Sequence, residues 1–195
     1  MKIYGLTGKT GAGKSTVSKI LSEKGFFVID GDLLARKITE KGSPVLFELA
    51  KVFGEDIIDE EGCLIRRLLA KKAFSSKEGT DNLNRITHGA IHKEIEKEIE
   101  KGKNSGFEKC VIDAAALLES PSRVLCEKMI VVTAPEEIRL ERILERDCIS
   151  KEEALTRIKA QKSDEYYLES ADIIIRNYPP YDLQDELLRL EELIY

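Results

Sequence analysis

The sequence has no Cys-x-x-Cys pair: Cys63, Cys110, Cys126 and Cys148 lie 47, 16 and 22 positions apart. That spacing excludes a zinc knuckle and a thioredoxin-type redox pair, and free thiols in a reducing cytoplasm are the simpler reading. The 2 histidines, His88 and His92, lack the glutamate of a His-Glu-x-x-His motif, so no catalytic zinc site is expected. Positive charge is not in excess. The 31 Lys and Arg against 36 Asp and Glu leave a formal −5, so neither nucleic acid nor an anionic membrane is an expected partner. Long hydrophobic runs are missing too. The apolar stretch before the first glycine turn is about six residues, short of a signal-peptide core and of the roughly 20 a membrane span needs. There is no internal repeat and no low-complexity linker. The Asn-Lys-x-Asp signature of guanine recognition is also absent, which counts against a GTPase.

What is present suits one domain of ordinary size. The 195 residues, 42% hydrophobic and 34% charged, supply a core and a soluble exterior, but not two independent cores. Lys2–Thr7 reads as a buried strand closed by Gly8, and Val17, Ile20 and Leu21 recur at helical spacing up to Gly25. Phe26–Ile29 reads as a second strand that stops at Asp30. Strand, glycine loop, helix, strand is the signature of a parallel crossover and of an α/β sheet. The middle is read as helical: Leu33–Ile38, a segment opened by Pro44 and closed by Gly54, Arg66–Phe74, and a long helix from about Thr80 to Lys101. A loop is expected over Gly102–Gly106. Further strands are expected at Cys110–Asp113, Met129–Thr133 and Asp172–Ile175. Between the last two lie a helix from Pro135 to Arg146 and another, capped by Ser150 and Glu153, to about Lys162. Leu183, Leu187, Leu190 and Ile194 mark a closing amphipathic helix.

Gly8-Lys9-Thr10-Gly11-Ala12-Gly13-Lys14-Ser15 matches G-x-x-x-x-G-K-[ST], and it lies between a strand and a helix, the context that gives the match its meaning. Glycines let successive N–H groups turn inward on phosphate oxygens, and the helix adds the positive end of its dipole. Gly11, Ala12, Gly13, Lys14, Ser15 and Thr16 are therefore the nucleotide-binding candidates. Lys14 faces the β and γ phosphates and the Ser15 hydroxyl faces Mg²⁺. The motif specifies a nucleoside triphosphate and leaves the acceptor open.

Asp30-Gly31-Asp32 ends the second strand, at the lip where open α/β sheets bind ligands. Asp32 has two readings, a general base for an acceptor hydroxyl and a cap of the helix that follows. Asp30 supports it, with a role toward Mg²⁺ through water. Arg36, one helical turn past Asp32, would meet an acceptor's phosphate. Arg142 and Arg146 read either as lid cations over the transferred phosphate or as surface partners of nearby glutamates, whereas Arg139 reads as a surface partner. His88 is a candidate polar contact to substrate, and Asn177 a candidate for the base side of the nucleotide.

The whole pattern resembles the dephospho-CoA kinases. The likeness runs from the phosphate loop through Val28-Ile29-Asp30-Gly31-Asp32 and Arg36 to Arg66, Leu69 and Phe74. It continues in Leu83-Asn84 with Ile86-Thr87-His88, Asp113-Ala114, Leu117-Leu118-Glu119, Arg142, Arg146 and Gln161, and ends in Ala171-Asp172 and Asn177. The resemblance implies ATP- and Mg²⁺-dependent phosphorylation of the ribose 3′-hydroxyl of dephospho-CoA, the last step of coenzyme A synthesis, in the cytoplasm and with no obligate protein partner. It implies a P-loop kinase fold: a five-stranded parallel sheet core over about residues 1–35, 107–135 and 170–195, a helical substrate-binding region over about 36–106, and a lid over about 139–168. By position it makes Asp32 the general base, Lys14 and Arg146 catalytic cations, and Arg142 a nucleotide contact. Arg36, Arg66 and His88 fall on the acceptor side. The family's usual loop reads Gly-Gly-Ile-Gly-Ser-Gly-Lys, whereas here it is Gly8-Lys9-Thr10-Gly11-Ala12-Gly13-Lys14, with Lys9 and Thr10 at positions outside the invariant pattern. The sequence also has Gly89 after His88, and Ala115 before the Leu117-Leu118-Glu119 segment, where proline is usual. Two alternatives remain: another small-metabolite or nucleoside monophosphate kinase, and, from a different class, a nucleotide switch or adaptor.

Overall fold

A computed structural model describes residues Met1–Ile194 and resolves into two compact units. One comprises Met1–Ile29 with the chain from Lys101 on, and the other Asp30–Glu100. Strands β1 (Lys2–Gly8), β2 (Phe27–Asp30), β3 (Lys109–Asp113), β4 (Lys128–Thr133) and β5 (Ile173–Arg176) form one sheet in the order β2-β3-β1-β4-β5. The pairings of β1 with β3, β1 with β4 and β4 with β5 are parallel. A strand flanked on both sides can be apolar throughout, and β1 is buried from Tyr4 to Gly8. Helices α1 (Lys14–Glu23), α6 (Glu136–Asp147), α7 (Lys151–Lys159), α8 (Asp164–Glu169) and α9 (Leu183–Ile194) accompany the sheet. Leu6, Val17, Leu21, Ile130, Val132, Leu187 and Leu190 make its core, and each is at most 1% exposed.

The Asp30–Glu100 unit holds α2 (Gly31–Lys37), α3 (Pro44–Phe53), α4 (Arg66–Ala73) and most of α5 (Lys77–Asn104). Its own core is Leu49, Ala50, Ile57, Leu69 and Ile86, so the second core that the chain length argued against is present. Among the described residues, no helix is long and apolar enough to cross a membrane.

Three sequence expectations are corrected here. The helix expected to stop before Gly102 continues to Asn104, because Gly102 is buried within it against Phe27 and Met1, and the chain turns only at Ser105-Gly106. The helix expected to reach Lys162 stops at Lys159, and a separate six-residue helix follows, capped by the Ser163 hydroxyl accepting from the Tyr166 amide. The N-cap of α2 is Asp30, whose Oδ1 accepts from the Leu33 amide at 2.8 Å. Asp32 lies in the first helical turn, so the capping reading of Asp32 falls away.

Candidate active site

The phosphate loop follows β1 directly, and two of its glycines are dictated by space and backbone. Gly11 has φ +80°, and a Cβ there would meet the Arg139 backbone. Gly13 has φ +95°, serves as N-cap of α1, and a Cβ there would overlap the Asn177 amide. The first turn of α1 carries Lys14, Ser15 and Thr16 with no acidic side chain, so the positive end of the helix dipole favours an anion. Lys14 Nζ pairs with Asp113 Oδ1. Asp113 ends β3 and is 7% exposed. The sheet register sets it beside Leu6 of β1, which leads into the loop. A largely buried ammonium held on a buried carboxylate is a charge positioned in advance.

Arg142 braces this loop. Its Nη1 donates to the Gly11 and Ala12 carbonyls at 3.3 and 3.4 Å, and its Nη2 to the Asn177 carbonyl at 2.8 Å. The Asn177 side-chain amide donates to the Ala12 carbonyl at 2.9 Å, so Asn177 holds the loop, where the sequence reading put it at the nucleotide base. Arg146 stands further along α6, its Nε and Nη2 donating to the two Asp147 oxygens at 2.7 and 3.0 Å, and Arg157 joins the same carboxylate at 2.8 Å. The hydrogen bonds from Arg146 hold the Asp147 carboxyl below its ordinary range, and the same pairing raises Arg146. Ser15 and Thr16 are exposed. No group of three or more His, Cys, Asp or Glu able to hold a metal occurs among the described residues.

The Asp30–Glu100 unit carries the acceptor-side candidates. Asp32 and Arg36 are exposed on α2. Arg66, at the start of α4, donates from Nη2 to the Thr39 hydroxyl at 3.0 Å and to the Arg36 carbonyl at 3.4 Å. Arg66, His88, Thr39, Asn84 and Phe74 line a cavity of about 270 Å³. The structure therefore brings Arg66 and His88 together at one cavity. Arg36 contributes its backbone to Arg66, and its side chain does not line that cavity. One guanidinium and several hydrogen-bonding groups beside apolar walls suit an anionic ligand.

Sequence reasoning assigned no role to Asp113 and misread Arg139. A carboxylate that closes an apolar strand beside the loop was the signal for Asp113. Arg139 is 1% exposed, with Nε donating to the Ala134 carbonyl at 3.0 Å, and is not a surface partner of Glu136 or Glu141. Its helical phase, four residues before buried Ile143, points to the core and could have shown this.

A family model described as dephospho-CoA kinase matches residues 2–180. A dephospho-CoA kinase of Corynebacterium diphtheriae is 42% identical over 189 residues, 97% of this chain and 94% of that one. A solved dephospho-CoA kinase of Campylobacter jejuni is 28% identical with a TM-score of 0.70, covering 100% of this chain and 98% of that one. A solved protein of Thermus thermophilus is 29% identical with a TM-score of 0.82, covering 99% and 96%. With the glycine loop, the Lys14–Asp113 pair and the parallel sheet already in place, these matches make the chain a member of the dephospho-CoA kinase family.

Proposed function

We propose that the chain transfers the γ-phosphoryl group of ATP to the ribose 3′-hydroxyl of dephospho-CoA, giving coenzyme A and ADP. The observation that carries this reading is the phosphate loop with Lys14 held on Asp113, in a chain of this family. The amides of Gly11–Thr16 and the Lys14 ammonium bind the triphosphate, and Arg142 and Asn177 fix the loop's carbonyls so that its amides stay turned inward. Asp32 is assigned as the base that accepts the 3′-hydroxyl proton as the new P–O bond forms. Its neighbour Asp30 fixes the start of α2 and hence the placement of Asp32. Arg36, Arg66 and His88 are assigned to the acceptor. Arg146 is assigned to the transferring phosphate, for which it exchanges Asp147, and α6–α8 are assigned as the lid.

The residues fit Mg²⁺. That ion binds through one or two oxygen side chains plus phosphates and water, not through a protein cage. The exposed Ser15 hydroxyl, with Asp113 beside Lys14 in the same unit, offers such a set. When bound, the ion neutralises charge on the β and γ oxygens. The reading is tested by ADP release from ATP and Mg²⁺ with and without dephospho-CoA, the product being weighed. The expected result is acceptor-dependent ADP and a product heavier by one phosphoryl group. Equal ADP without acceptor, or turnover only with a nucleoside monophosphate or shikimate, overturns it.

A further inference from the structure

The phosphate loop is held from a second direction that the reaction scheme does not use. Lys9 Nζ lies 2.8 Å from Asp164 Oδ1, and Arg139 Nη2 lies 3.8 Å from the same oxygen. The Lys9 side chain is 12% exposed and Arg139 1%, whereas Asp164 stands 56% exposed at the first turn of α8. Next to them the Thr10 amide donates to Gln161 Oε1 at 2.9 Å. The Arg139 backbone packs on Gly11, and its Nη1 and Nη2 are buried with no hydrogen-bond partner among the described residues.

Two cations drawn out of water are expensive unless a counter-charge meets them, and among the described residues Asp164 is the one carboxylate within 4 Å of either. An exposed ion pair contributes little, but this carboxylate serves two largely buried partners on different elements.

We propose that Asp164 is a positioning residue for the phosphoryl donor. By pairing Lys9 and Arg139 at once, it clasps residues 9–11 between α6 and the segment joining α7 to α8. The loop is thereby ordered for the triphosphate before ATP arrives, and the cost of ordering it is not charged to binding. The clasp also links the loop mechanically to α7 and α8, so nucleotide occupancy and the position of those helices are coupled. This inference rests on the kinase reading for its meaning, but its test does not.

The test measures ATP dissociation constants by calorimetry without acceptor, and steady-state kinetics with dephospho-CoA, for wild type, Asp164→Asn, Lys9→Met and the double variant. Asp164→Asn keeps the side-chain shape and removes the counter-charge. The expected result is a rise of about tenfold in the ATP dissociation constant and KM, with kcat and the dephospho-CoA KM within about twofold. The double variant is expected to be no worse than the poorer single variant, and Asp164→Glu is expected to restore most of the affinity. Unchanged ATP affinity in Asp164→Asn, or additive losses in the double variant, overturns the clasp. Loss of fold in Asp164→Asn would show as a lowered fraction of binding-competent protein rather than as weaker affinity, and Lys9→Met, the milder variant, then decides. If the wild type binds ATP but never phosphorylates dephospho-CoA, the kinase reading fails while the calorimetric comparison still stands.

Discussion

Two aspartates separated by one glycine are given two tasks in the proposed scheme. Asp30 accepts the Leu33 amide and starts α2, whereas Asp32, in the first turn of the helix, is proposed as the base. This division makes the substitution of Asp32 informative. Asp32→Asn is expected to lower kcat by roughly 10²–10⁴ with ATP affinity and thermal midpoint nearly unchanged, because the cap of α2 stays intact. Asp30→Ala is expected to cost about 1 kcal/mol of stability through the lost cap. Kinetics together with a denaturant titration distinguish the two, and an Asp32→Asn protein that turns over normally removes the base assignment. The phosphate loop between strand and helix was legible in the sequence because it is written locally, in glycines and a lysine. Asp113 was not, because its meaning comes from the register that sets it beside Leu6 of β1. Arg139 was misread because a charged residue is ordinarily exposed, and that expectation was set above its helical phase with Ile143.

At the level of elements, local signals succeeded where they were sufficient. Ser150 and Glu153 exchange both hydrogen bonds of a capping box and start α7 as read. A six-residue helix such as α8 has no room to show a period, so it went unseen. The long α5 overran its expected end because tertiary packing overrode the glycine at position 102. Two of the three glycines inside α5, Gly89 and Gly102, give opposite expectations for one substitution. Nothing lies within 4 Å of a Cβ at Gly89, so Gly89→Ala is expected to stabilise by about 0.5–1 kcal/mol through helix propensity alone. At Gly102 a Cβ would stand 2.8 Å from Phe27 Cδ1 and 3.0 Å from its Cγ. A ring atom bonded to the stem cannot swing away, so Gly102→Ala is expected to destabilise despite the same gain in propensity. Urea unfolding of the two variants compares them directly, and stabilisation of both would mean that the Phe27 ring yields.

For the whole molecule, the parallel crossovers were legible from alternating strand and helix patterns. The order β2-β3-β1-β4-β5 was not, because it depends on which strands meet after folding. That order places Cys110 of β3 against β1 at Ile3, wholly buried, while Cys126 lies before β4 at 7% exposed. Burial pushes the Cys110 thiol up to about 12 and the Cys126 thiol up to about 11, since a thiolate there would lose its water. Cys63 and Cys148 are exposed. Iodoacetamide at pH 8, with the sites mapped by mass spectrometry, is expected to modify Cys63 and Cys148 in the folded protein, and Cys110 and Cys126 only on global unfolding. The same displacement fixes the sign of a pH effect. Both folded-state thiols ionise above their ordinary value of 9.0, so the folded chain retains protons that the unfolded chain gives up. Their contribution to stability is complete below pH 9 and is lost as pH rises toward 11 to 12. Replacing Cys110 and Cys126 together by Ala is therefore expected to flatten the fall of unfolding free energy between pH 8 and 10, whatever it costs at neutral pH. An unchanged slope would mean that other groups govern alkaline unfolding, and rapid labelling of Cys110 at pH 8 would mean that the sheet opens around β3 far more readily than its packing implies.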